Sequence, residues 1–190
     1  MDNVPDAWRP DRLAALVLTT VAALLTVYAT SVPGWYLPWV AWLVFAWTFL
    51  GLIWLGTLAR ILFRASPLAK LRLEWPVWLL PPLIVLLAGG LVYMGAPLEA
   101  RLALSRPAFD AFARTVSQGA PLPGDDEWIG LFPIEGATRF PGGALFTVDG
   151  AGFIGSTGFA WSPGGEPPQV GGEESYDHLR GPWYTWSKDI

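Results

Sequence analysis

The chain has 190 residues, of which 53% are hydrophobic and only 15% are charged, with a formal net charge of −4. Soluble domains carry about 25% charged residues, so this composition points to a membrane protein. The absence of a basic tail excludes nucleic acid as a partner class, and the absence of cysteine excludes disulfides and thiolate metal sites.

Three uncharged runs occupy the first half of the chain, at residues 13–32, 35–59 and 76–96. A bilayer core about 30 Å thick needs roughly 20 apolar helical residues, so each run is long enough to span it. The polar stripes that buried helices of a soluble bundle would show are missing. The sequence therefore predicts a region of three transmembrane helices over residues 1–96. Pro33-Gly34 predicts a tight turn that makes the first two helices a hairpin.

The distribution of basic residues predicts the orientation of these helices. The segment between the second and third runs contains Arg60, Arg64, Lys70 and Arg72, whereas the turn at Pro33-Gly34 contains no Lys or Arg. Because loops rich in Lys and Arg stay in the cytoplasm, we expect a multi-pass protein of the plasma membrane with a cytoplasmic N-terminus and 60–74 segment. The C-terminal half then lies outside the cytoplasm.

Aromatic side chains prefer the headgroup level of a bilayer and would mark its two interfaces. The outer interface would hold Tyr28, Trp35, Tyr36, Trp39 and Tyr93, and the inner interface would hold Trp75 and Trp78. The three runs contain no ionisable residue. Since ionisable groups inside the bilayer mark ion paths and transport sites, this argues against an ion-coupled transporter.

A second interpretation makes the first run a signal peptide. Arg9 and Arg12 would be its basic start, and Val27-Tyr28-Ala29 its cleavage site. The run is long for the apolar part of a signal peptide, so we favour a helix that is retained. The extracytoplasmic placement of the C-terminal half is the same in both interpretations.

Residues 97–120 are predicted to form a juxtamembrane amphipathic helix. Apolar residues recur there at helical spacing, at Leu98, Leu102, Phe109, Phe112 and Val116. We expect this stripe to pack under the β-rich part rather than on the outer leaflet, because the face is neither basic nor wide. Pro107 is expected to interrupt the helix, with Ser105 capping a new one.

Residues 121–190 change to a period of two and to turn chemistry. Strands are predicted near 128–134, 137–141, 144–149, 151–161 and 182–186, forming a small antiparallel sheet. Pro141-Gly142 and Pro163-Gly164 have the proline–glycine order of type II turns, and both are expected to punctuate hairpins. The predicted fold is thus a helical membrane region with a small extracytoplasmic α+β domain.

The candidates for chemistry are few. His178 is the only histidine, and its neighbour Asp177 cannot orient it if both lie on a strand, because neighbours point to opposite faces. No G-x-S-x-G or H-E-x-x-H motif occurs. Asp125, Asp126 and Glu127 are candidate ligands for a hard cation such as Ca²⁺, but the EF-hand spacing is absent and a solvated acidic loop is favoured. We therefore predict no catalytic site, no metal and no cofactor.

Aromatic residues of the β-rich part are candidate contacts for a ligand or a partner. They are Trp128, Trp161, Trp183, Tyr184 and Trp186. Exposed aromatic anchors carry binding energy at interfaces. The tryptophans can equally form the core of a domain that lacks other bulk, and this second interpretation is favoured.

Three stretches carry a resemblance to a known family: RLALSRPAFD, GLFPIEGATRFPGGALFTVDGAGFIGSTGFAWSPGG and YDHLRGPWYTW. They resemble a family of small actinobacterial membrane proteins that pair N-terminal helices with an external β-rich tail. The resemblance covers roughly the second half of the chain and implies an envelope location, without implying an activity.

The sequence thus predicts a non-enzymatic envelope protein in the lipid bilayer, whose external domain binds another membrane or envelope protein. One alternative is an envelope enzyme that uses external carboxylates and His178. A second alternative is an accessory subunit that contacts its partners through its helices.

Overall fold

The computed structural model describes residues 10–63, 75–124, 127–152, 155–170 and 173–188. The helices in these ranges are α1 (Pro10–Ala29), α2 (Leu37–Leu62), α3 (Trp75–Tyr93) and α4 (Ala96–Ser117). The strands are β1 (Glu127–Ile129), β2 (Phe132–Phe140), β3 (Gly143–Val148), β4 (Ser156–Trp161), β5 (Glu174–Arg180) and β6 (Trp183–Lys188). The chain forms two compact units, one of Met1–Val27 with Pro38–Met94 and one of Tyr28–Leu37 with Gly95–Ile190.

The first unit consists of apolar helices. Residues Leu37–Arg60 of α2 form a 24-residue stretch that is long and apolar enough to cross a membrane, and almost none of it is buried. The apolar part of α1, Leu13–Ala29, is shorter, and Trp78–Tyr93 of α3 passes the same test only together with α4. The described chain therefore holds one helix that is long and apolar enough to cross a membrane, or two if α3 and α4 form one broken span. The three predicted spans stay a prediction.

The threonine side chains of α1 and α2 are hydrogen-bonded inside their own helices. Every threonine of these two helices donates a hydrogen bond of 2.7–2.9 Å to the carbonyl four residues earlier, at Thr19, Thr20, Thr26, Thr48 and Thr57. The Trp47 indole N–H also donates to the Thr26 hydroxyl, at 3.0 Å. Such pairing is what a helix surrounded by lipid requires, because no water is present to satisfy a free hydroxyl.

The second unit contains one antiparallel sheet of six strands in the order β1-β2-β3-β4-β6-β5. Pro141-Gly142 joins β2 to β3, and Gly142 has φ 88°, as the predicted type II turn requires. Pro163-Gly164 does not end a hairpin, because β4 pairs with β6 rather than with the next strand. The chain first runs to the sheet edge as β5 and then returns as β6.

Two of the predicted strand boundaries are wrong and one strand was not predicted. The predicted 128–134 strand is divided at Gly130-Leu131, so that β1 has three residues and β2 has nine. The predicted 151–161 strand begins only at Ser156. The stretch 174–180, for which no strand was predicted, is β5; most of its residues are exposed, as on an edge strand, so it lacks a clear apolar alternation.

Helix α4 covers one face of the sheet and forms the main core with it. Phe109 is fully buried, and its ring centroid lies 5.3–5.9 Å from those of Phe132, Phe146, Phe159 and Trp183, all in edge-to-face geometry. The predicted packing of the apolar stripe under the sheet is therefore confirmed. A smaller cluster on Phe140, Leu145, Ala160 and Trp186 forms a second core.

The predicted break at Pro107 is wrong. α4 is continuous from Ala96 to Ser117 with Pro107 inside it. Ser105 does not cap a helix; its buried hydroxyl donates to the Arg101 carbonyl at 2.9 Å and accepts the Leu131 amide at 3.0 Å. The hydroxyl that the sequence marks as a cap thus fastens the β1–β2 turn onto α4.

Candidate functional site

The turn between α1 and α2 is part of the β-rich unit. Val32 and Tyr36 are 1% and 8% exposed and belong to the main core. The Thr157 hydroxyl donates to the Pro33 carbonyl at 3.0 Å, and the Gly152 amide donates to the Trp35 carbonyl at 2.9 Å. The prediction that Tyr36 lies at the lipid interface is therefore wrong, because protein surrounds its ring. A turn predicted only to join two helices is a structural element of the domain.

The backbone of this turn is held in an uncommon conformation. Gly34 has φ 72°, and a Cβ there would approach Thr157 to 2.9 Å, so glycine is required for the close packing. Trp35 has φ 63°, which is rare for a bulky residue. Such a conformation costs on the order of 1 kcal/mol and persists only when the surroundings fix it. The hydrogen bonds at Pro33 and Trp35 supply that constraint.

Arg101 of α4 connects the turn to the rest of the unit. Its guanidinium donates to the Ser31 hydroxyl at 2.8 Å and to the Leu131 carbonyl at 2.6 Å. The same group lies 4.5 Å from the ring centroid of Phe132, and 5.4 and 5.9 Å from those of Tyr28 and Tyr36. Arginine suits this place because its planar fork donates in two directions while its face stacks on rings.

We call this set the Arg101 junction: Arg101, Ser31, Tyr28, Tyr36, the Leu131 carbonyl and Phe132. Sequence reasoning missed it, since its members come from three distant segments. The one signal in the sequence is an arginine beside the apolar stripe of Leu98 and Leu102. The junction positions the α1–α2 turn on the domain.

The five predicted aromatic contact residues differ in their burial and their hydrogen bonds. Trp183 is fully buried and its indole N–H donates to the Asp110 carboxylate at 2.8 Å. Trp186 is buried and donates to the Phe146 carbonyl at 3.2 Å. Trp161 and Tyr184 are half-buried against the two cores. Trp128, on the edge strand β1, is 62% exposed and is the one of the five that presents most of its ring outward.

The candidate catalytic pair lies on the edge strand β5. The His178 Nε2 atom is 3.0 Å from the Gly181 carbonyl, and its ring meets the edge of Tyr184 with centroids 5.0 Å apart. The Asp177 carbonyl accepts the Thr185 hydroxyl at 3.4 Å. Within the described ranges no carboxylate or side-chain hydroxyl is hydrogen-bonded to the His178 ring. The contacts of His178 thus close the β5–β6 turn.

Two described acidic residues, Glu127 and Glu174, accept hydrogen bonds from backbone amides of neighbouring loops. The Glu127 carboxylate accepts the Gly124 amide at 3.1 Å, while Asp125 and Asp126 lie outside the described residues. Across the part of the chain that the structure describes, no group of three or more His, Asp or Glu side chains is placed to hold a metal ion. The Glu174 carboxylate accepts the Tyr176 hydroxyl at 2.6 Å and the Val170 amide at 2.8 Å, which fastens the loop between β4 and β5.

The remaining interface and topology residues lie as follows. Trp35, Trp39 and Tyr93 are exposed, as contact with headgroups requires. Trp78 is instead buried, with its ring centroid 6.5 Å from that of Trp54, so the prediction of an interfacial Trp78 conflicts with its burial. Trp75 begins α3 and Arg60 lies in the last turn of α2. Arg64, Lys70 and Arg72 fall outside the described residues.

The fold and its contacts define a chain of apolar helices joined to a helix-covered antiparallel sheet. No protein-family model, curated protein or solved structure matches it. The resemblance to actinobacterial membrane proteins therefore rests on the quoted stretches alone.

Proposed function

We propose that this chain is an integral envelope protein that spans the plasma membrane three times and presents a small extracytoplasmic interaction domain. One observation carries the proposal: the α1–α2 turn, Tyr28–Leu37, belongs to the same compact unit as Gly95–Ile190. In this proposal the domain binds another membrane or envelope protein and catalyses no reaction.

The α1–α2 turn and the C-terminal domain belong to one compact unit. This supports an even number of membrane crossings by the chain between them. The chain leaves the second unit at Leu37 and returns to it at Gly95. If α2 crosses the bilayer, the segment 38–94 must cross back, and α3 is the described helix that precedes the return. Its 19 residues extend about 28 Å, close to the roughly 30 Å of the hydrocarbon core. The chain enters the same unit at Tyr28, so a retained α1 would make the third crossing.

The charge pattern supports the direction of these crossings. Arg60 lies in the last turn of α2, and the 60–74 segment holds three more basic residues, whereas residues 97–190 carry a net charge of −6 by formal count. Basic loops stay in the cytoplasm. The turn, α4 and the sheet would then all lie on the outer side.

Cysteine accessibility tests the orientation directly, because the native chain has no thiol. Ser117→Cys, at an exposed position of α4, should react with a membrane-impermeant maleimide on intact cells stripped of wall. Ala69→Cys should react only after permeabilisation, and the unsubstituted chain is the unlabelled control. Labelling of Ala69→Cys from outside, or protection of Ser117→Cys, would contradict the proposal.

The surface of α2 favours the helical accessory subunit as a second candidate. Trp42, Phe45, Phe49 and Leu52 are all strongly exposed and recur at helical spacing, so they form a ridge that suits lipid or a partner helix. Comparing partner recovery from mild detergent between a Phe45→Ala/Phe49→Ala variant and Trp128→Ala separates the two candidates. Loss only with Trp128→Ala supports binding by the external domain, and loss only with the α2 variant supports binding by the helices.

A further inference from the structure

The outward face of α4 is apolar over three turns. Every exposed residue from Ala100 to Ala111 is apolar, and these residues recur at spacings of three and four on one side of the helix. They are Ala100, Ala103, Leu104, Pro107, Ala108 and Ala111. Leu104 is 75% exposed. A helix of a domain in water normally places charged or polar residues on this side.

The opposite side of the same helix already forms the core with Phe109 and Val116. α4 is thus apolar on both sides, and the described part of the chain covers only one of them. We call the uncovered set, from Ala100 to Ala111, the outer face of α4. Its exposure in a single copy indicates that something else covers it in the assembled protein.

The composition of the outer face favours a helix over lipid as the covering group. Helices that lie in a bilayer interface use Trp, Phe and Leu on the apolar side. The outer face has four alanines, one proline and a single leucine, and small residues let two helix backbones approach closely. Its two exposed ends carry opposite charges, Glu99 before it and Arg114 after it.

These end charges make the outer face complementary to itself. Glu99 lies eight residues before Pro107, and Arg114 lies seven residues after it. In an antiparallel pair that crosses at Pro107, Glu99 of each copy is level with Arg114 of the other. A two-fold axis of this kind is the commonest symmetry of soluble oligomers.

We propose that α4 pairs with α4 of a second copy of this chain, antiparallel, with the two helices crossing at Pro107. Alanines pack across the two-fold axis, with Ala103 of one copy level with Ala111 of the other. Two Glu99–Arg114 pairs close the ends. Pro107 adds a further acceptor, since it has no N–H to donate to the Ala103 carbonyl.

Disulfide trapping tests the crossing point without interference from native thiols. Pro107→Cys lies on the two-fold axis and should form a covalent dimer on mild oxidation in native membranes. Ser117→Cys is the matched control on the same helix, since its two copies would lie roughly 30 Å apart. We expect about tenfold more covalent dimer with Pro107→Cys than with Ser117→Cys. Equal yields, or none in either variant, would overturn the pairing.

A mixture of two single variants tests the antiparallel register. Ala103→Cys and Ala111→Cys, co-expressed, should give a heterodimer that neither variant gives in homodimeric form. Cross-linking of Ala103→Cys to itself would indicate a parallel pair and overturn the proposal.

Charge exchange provides a second readout that does not depend on thiols. Glu99→Arg and Arg114→Glu should each lower the dimer fraction in detergent, measured by sedimentation, because each places like charges together. The double exchange should restore the dimer fraction. Both residues are exposed in a single copy, so the melting temperature measured at a dilution where all variants are monomeric should not change. That comparison separates lost pairing from lost folding.

A spin label attached to Ala108→Cys tests whether lipid, rather than a second copy, covers the outer face of α4. Broadening by a second label indicates a neighbouring copy, whereas high oxygen accessibility without broadening indicates lipid and overturns the pairing. None of these measurements depends on which side of the membrane the domain occupies.

Discussion

The Arg101 guanidinium and the Ser31 hydroxyl, seventy positions apart in the chain, are joined by a hydrogen bond of 2.8 Å. This bond ties the turn between two apolar helices to the helix that covers the sheet. Ser31 is buried and Arg101 also lies over three aromatic rings, so several groups together hold the guanidinium in place. The turn and α4, which are distant in the chain, are therefore joined within one compact unit.

Replacing Arg101 should loosen this connection. Arg101→Ala removes two charge-assisted hydrogen bonds and the ring contacts, so we expect the free energy of unfolding to fall by about 2–4 kcal/mol. Arg101→Lys should cause a smaller loss of stability. The single ammonium nitrogen of lysine lacks the planar fork that lets arginine donate to two acceptors at once. Thermal unfolding in detergent measures both.

Arg139→Ala, which removes an exposed arginine on β2, is the control and should change the stability by less than about 0.5 kcal/mol. Equal effects of Arg101→Ala and Arg139→Ala would show that the Arg101 junction contributes little.

The pair of Trp183 and Asp110 should behave as one energetic unit. Asp110→Ala leaves the fully buried indole N–H without its 2.8 Å acceptor, at a cost of about 1–3 kcal/mol. Trp183→Phe removes the donor and some packing volume. In a double-mutant cycle the two losses should not add, and the coupling should be about 1–2 kcal/mol. Additive losses would mean that the hydrogen bond contributes no coupling free energy. The contact of Asp110 with Arg106, 3.9 Å and half-exposed, should contribute little.

Gly158 in β4 should not tolerate a side chain. A Cβ at this position would collide with the Phe146 carbonyl and lie 3.0 Å from the Trp186 indole nitrogen. Gly158→Ala is therefore expected to lower the free energy of unfolding by about 2 kcal/mol or more, by separating β3 from β4. Gly136→Ala, in β2, meets no atom within 4 Å and should be nearly neutral. Chemical denaturation of the two variants gives the comparison, and similar midpoints would contradict the close packing.

Stability should depend on the ionisation of Tyr176 at high pH. Burial raises the pKa of the Tyr176 hydroxyl above its usual value of 10.0, and the neighbouring Glu174 carboxylate raises it further. The neutral hydroxyl is thus favoured in the folded state. The stability that the neutral Tyr176 hydroxyl contributes is fully present below pH 10. It is lost as the pH rises above 10, because the unfolded state then releases the proton more readily than the folded state.

Tyr176→Phe should lower stability at neutral pH and reduce the decline above pH 10, when melting temperatures are followed between pH 8 and 11. Tyr184→Phe is the control for general alkaline effects. An unchanged slope in Tyr176→Phe would exclude Tyr176 as a source of the decline.

The sequence predicted best those features that depend on neighbouring residues. The apolar stretch of α2 is continuous, so its helix follows from composition, and Gly142 follows from the needs of a type II turn. The stripe of Leu102, Phe109 and Val116 predicted the packing of α4. These signals are local and need no knowledge of the rest of the fold.

The features that were missed depend on contacts between distant segments. Thr157 and Pro33 are 124 positions apart, and no pattern near either residue indicates that they meet. β5 escaped prediction because an edge strand is exposed on both faces and carries no apolar period. Pro107 was expected to break α4, but the packing of Phe109 against four rings holds the helix together across it. Tertiary contacts overrode local preference in that case.

The second unit is built from two separate segments of the chain, and this determines when it can form during synthesis. Val32 and Tyr36 leave the ribosome early, yet the strands that enclose them, β3 and β4, are made more than a hundred residues later. β6, which lies inside the sheet between β4 and β5, is made last of all. The side chains of Val32 and Tyr36 therefore stay without their core partners until translation is nearly finished, and early termination would leave an open sheet exposed to proteases.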